Sequence, residues 1–254
     1  MPTPVEFMNR YRNIKVSAVI DDAAAGVCRI GTHTVQLRKY FMMDWDETSE
    51  ERRDFNAVTS DGRRSDFYRA NQEHILNAAM GKGAPDDYRL ALEWAIISGK
   101  IAAPLTAEKV QQYADEHLGI DCSGFATNYL IAAGKKTYSS TTVRNTGAAS
   151  YFDSSKAVND PLAVQRGDLL VWMNGNSVKR DPGHIAVVDD YVAQCRPAGN
   201  MRVVEATGAR GANPKLLDSM YMVEGIVDQT GRVPMILVVK RHGVSGSHVV
   251  VIRP

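Results

Sequence analysis

Two kinds of hydrophobic spacing divide the chain. Between residues 75 and 118 apolar positions recur every three or four residues. Ile75, Leu76, Ala79 and Met80 form one stripe, Tyr88, Ala91, Leu92, Ala95 and Ile96 a second, and Ala107, Val110, Ala114 and Leu118 a third. Such stripes bury one face of a helix against a core. Phe125, Tyr129 and Ala133 continue at four-residue spacing with Gly134 as a stop, which predicts another helix starting at Cys122. From residue 168 the pattern becomes that of strands, at 168–173, 184–192, 201–207, 222–227, 235–241 and 248–252. Gly243-Val244-Ser245-Gly246-Ser247 joins the last two as a loose hairpin. Helices followed by a run of strands predict an α+β fold, a helical layer packed on an antiparallel β-sheet.

Residues 1–66 read differently. Segments 14–20 and 27–37 are rich in β-branched residues, 44–64 is charged, and Asp61-Gly62-Arg63-Arg64 reads as a turn. A β-rich N-terminal extension is expected over 1–66, ahead of a main domain over 67–254. It either packs on that domain or stands apart as a recognition element for a protein partner.

Composition permits an enzyme without requiring one. With 254 residues the chain can bury a sizeable core, and 44% apolar and 23% charged residues are ordinary for a soluble globular protein. A formal charge of +1 and the lack of a Lys/Arg tract argue against nucleic acid. No apolar run approaches the roughly 18 residues of a membrane helix. The start, Met1-Pro2-Thr3-Pro4-Val5-Glu6, lacks a basic segment followed by an apolar one, so no secretory signal is expected. Cys28, Cys122 and Cys195 are widely separated and form no Cys-x-x-Cys pair. Neither a metal nor a cofactor is expected.

The candidate chemistry centres on Gly119-Ile120-Asp121-Cys122-Ser123-Gly124-Phe125 and Pro182-Gly183-His184-Ile185-Ala186-Val187-Val188. A Cys in the first helical turn, behind Asp121 as N-cap, meets the unpaired N–H groups and partial positive charge that favour a thiolate. His184 opens an apolar strand and is the candidate base. A base needs a third group to fix its tautomer. Glu205, the acid in Met201-Arg202-Val203-Val204-Glu205-Ala206, can reach His184 from an antiparallel return strand. Asp189 cannot, because five strand steps of about 3.3 Å carry it some 17 Å away. Each residue alone also has a plainer reading: Cys122 as a small buried hydrophobe, His184 as a structural histidine, Glu205 as a solvent-facing acid.

Taken together, Asp121-Cys122-Ser123-Gly124-Phe125, then Arg166-Gly167-Asp168-Leu169-Leu170-Val171-Trp172, then Gly183-His184-Ile185-Ala186-Val187-Val188 resemble the three signature segments of the NlpC family. These are papain-like cysteine peptidases and amidases acting on bacterial cell-wall peptides, with the CHAP amidohydrolases as close relatives. Ser140-Thr141-Thr142-Val143-Arg144 also fits the pattern. The similarity spans roughly residues 67–240 and is strongest over 119–208. It implies a papain-like NlpC-type fold with Cys122 as nucleophile and His184 as base. Glu205 stands where NlpC enzymes often carry His or a polar residue and CHAP-like enzymes can carry an acid. The resemblance further implies that Asp121 and Ser123 hold the free amine of a peptidoglycan stem peptide, beside their plainer role as helix caps. It places a Tyr near the nucleophile, for which Tyr88 and Tyr113 are the candidates.

The expected function is therefore cleavage of an amide in cell-wall peptides by a Cys122–His184–Glu205 triad. Two alternatives stay open: a thiol acyltransferase, transglutaminase-like protein or deamidase effector, and a non-catalytic cell-wall binding module. With no signal or transmembrane segment in view, a dedicated export route, effector delivery, lytic release or action inside the cell are the routes to a substrate.

Overall fold

The computed structural model describes the chain except residues 23–26, 44–45, 181, 196, 209–213, 228–233 and 242–245; of residues 18–22, 27–30 and 195 it describes the backbone only. The expected thiols Cys28 and Cys195 and most of the Gly243–Ser247 hairpin thus lie outside the described side chains.

The first half is helical, with α1 (Pro4–Tyr11), the hairpin β1 (Ile14–Asp22) and β2 (Val27–Val35), and the two-residue β3 (Lys39–Tyr40). Then come α2 (Glu50–Thr59), α3 (Asp66–Ala79), α4 (Pro85–Ile97), α5 (Ala107–His117), β4 (Gly119–Ile120), α6 (Cys122–Ala132) and α7 (Ser140–Asn145). The second half holds β5 (Leu169–Asn174), β6 (Ser177–Val178), β7 (Ile185–Cys195), β8 (Ala198–Ala206), β9 (Leu216–Ile226), β10 (Ile236–Arg241) and β11 (Ser247–Ile252). Side-chain N-caps start the helices where the sequence supplies them: Ser49, Ser65, Thr106, Asp121 and Ser139 each accept from a backbone N–H one turn on. At α1, Thr3 and Glu6 form a reciprocal capping box around Pro4.

The expected helical layer on an open antiparallel sheet, and with it the papain-like layering, is corrected by the strand pairing. Strands run in the order β11-β10-β9-β8-β7-β5, and β11 pairs back onto β5 from Val249↔Trp172 to Ile252↔Leu169. The result is a closed six-stranded antiparallel barrel within an α+β fold. Closure joins the first barrel strand to the last, a non-local pairing that strand-by-strand periodicity does not reveal. The local trace of it is that Leu169–Met173 and Val249–Ile252 are apolar at every position, because both faces are covered.

Alternation along each strand separates two apolar layers. Leu170 and Trp172, Ala186 and Val188, Met201 and Val203, Tyr221 and Val223, Leu237 and Val239, and Val249 and Val251 draw from all six barrel strands and fill its interior. Leu169 and Val171, Ile185 and Val187, Val204 and Ala206, and Val250 and Ile252 face outward into a second core shared with the helices. Residues 1–66 are not simply β-rich: α1 and α2 flank the hairpin. Phe7, Tyr11, Ile14, Val35 and Leu37 sit in the same core as Phe125 of α6. Phe7 and Phe125 stand 5.8 Å apart between ring centroids, and the Tyr11 hydroxyl donates to the Gly83 carbonyl at 3.0 Å.

Candidate active site

Cys122 is set by its lead-in. β4 pairs in parallel with β3, Lys39 opposite Gly119 and Tyr40 opposite Ile120, and runs directly into α6. Glycine is required at 119 because a Cβ there would fall 2.6 Å from Phe41 Cβ and 2.8 Å from the Lys39 carbonyl oxygen. Gly124 is similarly constrained, since its Cβ would meet the Gly81 carbonyl oxygen at 2.5 Å. Asp121 caps α6 by accepting from the Gly124 N–H. Cys122 therefore opens the helix, 5% exposed, with a backbone N–H that has no acceptor within the helix.

The barrel supplies the other half. His184 and Glu205 each extend an inward-facing row by one alternation step, His184 ahead of Ala186 on β7 and Glu205 beyond Val203 on β8. Ser219 on β9 and Arg241 on β10 extend their rows the same way. One end of the barrel is thus closed by a polar cluster. His184 Nε2 lies 2.7 Å from Glu205 Oε2, and the imidazole also feels the charge of Cys122. Trp172 packs edge-on to the imidazole at 4.4 Å between centroids.

Glu205 is 1% exposed and fully engaged. Ser219 Oγ donates to Oε1 at 2.6 Å, Arg241 Nη1 to Oε1 at 2.9 Å, and the Tyr221 hydroxyl reaches both oxygens at 3.1 and 3.2 Å. Burial pushes its carboxyl up, but the hydrogen bond and charge of His184, with Ser219 and Arg241, outweigh burial and hold it below the ordinary value. Burial pulls His184 down. Its hydrogen bond to Glu205 and the charges of Cys122 and Glu205 outweigh that and raise the imidazole to about 9.

Asp121 and Ser123 are occupied by the chain itself. Lys82 Nζ lies 2.5 Å from Asp121 Oδ2 and 2.5 Å from Ser123 Oγ, and donates to the Thr146 carbonyl at 3.2 Å. An internal ammonium stands where the resemblance implies a substrate amine. Tyr88 and Tyr113 do not reach the thiol: Tyr88 donates to the Gly119 carbonyl at 2.6 Å, and Tyr113 packs on His117. The tyrosine that shares the cleft wall with Cys122 is Tyr40; burial first, then the charges of Cys122 and Asp121, raise its phenol above the ordinary range.

Sequence reasoning missed Tyr40, Lys82, Ser219, Tyr221 and Arg241. Lys82 carried a faint signal as a cation between Gly81 and Gly83 ahead of the α4 cap. These elements meet at a cleft of about 460 Å³ whose wall includes Tyr40, Lys82, Asp121, Cys122, Ser123 and Gly183. A second cavity of about 460 Å³, lined by Lys100, Lys109, Tyr113 and His117, is separate from this chemistry. Among the described residues there is no grouping of three or more His, Cys, Asp or Glu able to hold a metal, and no helix is long and apolar enough to cross a membrane. No protein-family model matches the chain, and comparison with curated proteins and with solved structures gives no match.

Proposed function

We propose that this protein is a cysteine hydrolase that cleaves an amide bond, with Cys122 as nucleophile, His184 as acid and base, and Glu205 as the group that orients His184. The observation that carries the reading is the 2.7 Å contact between His184 Nε2 and the buried Glu205 carboxylate, with the charge of Cys122 acting on the same imidazole and Cys122 lining a cleft. An imidazole raised to about 9 carries a proton at neutral pH that it can hand to a leaving amine.

The Cys122 thiolate attacks the amide carbonyl carbon to form a tetrahedral intermediate. The Cys122 N–H at the helix start and the Tyr40 hydroxyl stabilise its oxyanion, a kind of donor typically worth about 3 kcal/mol in the transition state. The C–N bond breaks as His184 hands its proton to the leaving amine, leaving a thioester on Cys122. His184, now neutral, takes a proton from water as the water oxygen attacks the thioester. The sulfur departs as thiolate beside a reprotonated imidazole, and the acid product leaves and gives its remaining proton to solvent as the carboxylate.

The substrate class rests on the NlpC resemblance of the motifs around Cys122, Asp168 and His184: a peptidoglycan stem peptide, cut within the peptide or at the sugar–peptide amide. The test is incubation with purified sacculi and mass spectrometry of the soluble products. New amine and carboxylate ends at one defined bond, lost in Cys122→Ala, support the reading. Transfer products in place of hydrolysis would make the protein an acyltransferase, and tight binding without release would make it a binding module.

A further inference from the structure

The charges along the cleft point to what the substrate carries beside its amide. Arg144, on α7, and Arg180, in the segment between β6 and β7, both line the cleft with Cys122. The third cation there, Lys82, is satisfied by Asp121, Ser123 and the Thr146 carbonyl, and Asp121 is thereby neutralised. Arg144 is held in place from behind: its Nε donates to Oδ1 of the fully buried Asn77 at 2.9 Å. That bond uses one nitrogen of the guanidinium and leaves the two terminal ones. Among the described residues no carboxylate pairs with Arg144 or with Arg180. Two guanidinium groups in one cleft without a counter-charge repel each other and any cationic ligand, and they attract an anion. The planar fork of an arginine matches a carboxylate in particular.

We propose that Arg144 and Arg180 select a substrate bearing a carboxylate close to the amide presented to Cys122, so that the acyl donor is an acidic peptide and not one recognised by a free amine. This rests on the cysteine-hydrolase reading of the same site. Asp121 and Ser123 then belong to the frame around Lys82, and specificity lies with the arginines.

The test uses two alkylating agents of nearly equal size, iodoacetate and the neutral iodoacetamide. With either, the thiolate forms an S–C bond at the methylene carbon and iodide leaves. Second-order rates at Cys122 of the full chain are measured by mass spectrometry at low and high salt, with 2-mercaptoethanol as the reference thiol. The ratio of the iodoacetate rate to the iodoacetamide rate cancels the intrinsic reactivity of the sulfur. At low salt it should exceed the reference ratio by about 10-fold, the lower end of what a charged cleft does to on-rates, and it should shrink as salt screens the field. In the double variant Arg144→Gln, Arg180→Gln it should fall to within about 3-fold of the reference, as expected once the steering charges are gone. Rapid reaction with both agents at the reference ratio would overturn carboxylate selection and leave the hydrolase reading standing. A high ratio that survives in the double variant would also overturn it, since the His184 cation would then be the source. Slow reaction with both would remove the activated thiol, and this proposal with it.

Discussion

His184 and Glu205 are diagonal neighbours on one face of the β7–β8 ladder. With Val187 opposite Val204, Glu205 falls opposite Ala186, and His184 lies two residues along the same inward row. The 2.7 Å contact between them is therefore fixed by sheet register, and Ser219, Tyr221 and Arg241 hold the carboxylate from its other sides.

Glu205→Gln keeps a group of similar shape but removes the charge that supports an imidazolium. Turnover should fall by roughly 10²-fold or more, the scale of general acid–base assistance. Glu205→Ala should fall further and also destabilise the fold, because Arg241 loses its partner; breaking a buried pair from one side typically costs about 3–5 kcal/mol. Urea titration of both variants beside the activity measurement checks this. A Glu205→Gln protein with full activity would remove Glu205 from the relay.

Cys122 should be the thiol that reacts. Iodoacetamide near neutral pH should label Cys122 well ahead of Cys28 and Cys195, and His184→Ala should slow that labelling, because the imidazolium partner is gone. Cys122→Ala should abolish turnover while leaving the circular dichroism spectrum unchanged. Peptide mapping after timed labelling gives the order directly, and equal, slow labelling of all three would count against an activated nucleophile.

The raised imidazole sets the pH dependence. His184 moves from an ordinary 6.5 to about 9, so it stays protonated across neutrality. A group whose value is higher in the folded state stabilises that state below about 6.5 and loses the contribution as pH rises through about 9. Activity should follow the same alkaline limb, since the neutral imidazole cannot protonate the leaving amine. An NMR titration of the His184 ring should show its midpoint near 9, and Cys122→Ala should lower it by removing the charge of the sulfur. A native midpoint near 6.5 would rule out the ion pair.

What the sequence made legible, and what it hid, follows from range. The start of α6 at Cys122, its Asp121 cap and the reach of Glu205 to His184 depend on spacing within a helix or between adjacent antiparallel strands, and local patterning carries such information. Barrel closure does not, because β5 and β11 pair across about 80 residues of chain; about 3.3 Å of rise per residue says nothing about which strand closes on which. Ser219 and Tyr221 were hidden for a narrower reason. The pattern predicts a strand from 222, whereas β9 begins at Leu216, and both partners of Glu205 lie in the unread half. Lys82 was hidden because its role depends on the cleft and not on its neighbours in sequence. The two-residue β3 is too short for any periodicity to mark, yet it is what brings Tyr40 to the cleft.

Tyr40 supplies the last test. It shares the cleft wall with Cys122 and comes from β3, whose parallel pairing with β4 places it beside the chain entering α6. If its hydroxyl stabilises the oxyanion, Tyr40→Phe keeps the ring in the wall of the cleft and removes only that donor. The kcat should drop by about 10²-fold, with kcat/KM falling in step and KM little changed, as for an interaction made only in the transition state. A raised KM at constant kcat would instead make Tyr40 a substrate-binding residue. Loss of iodoacetamide reactivity in Tyr40→Phe at pH 7 would show a third role, support of the Cys122 thiolate before substrate binds, and would separate a ground-state effect on the sulfur from assistance to the oxyanion.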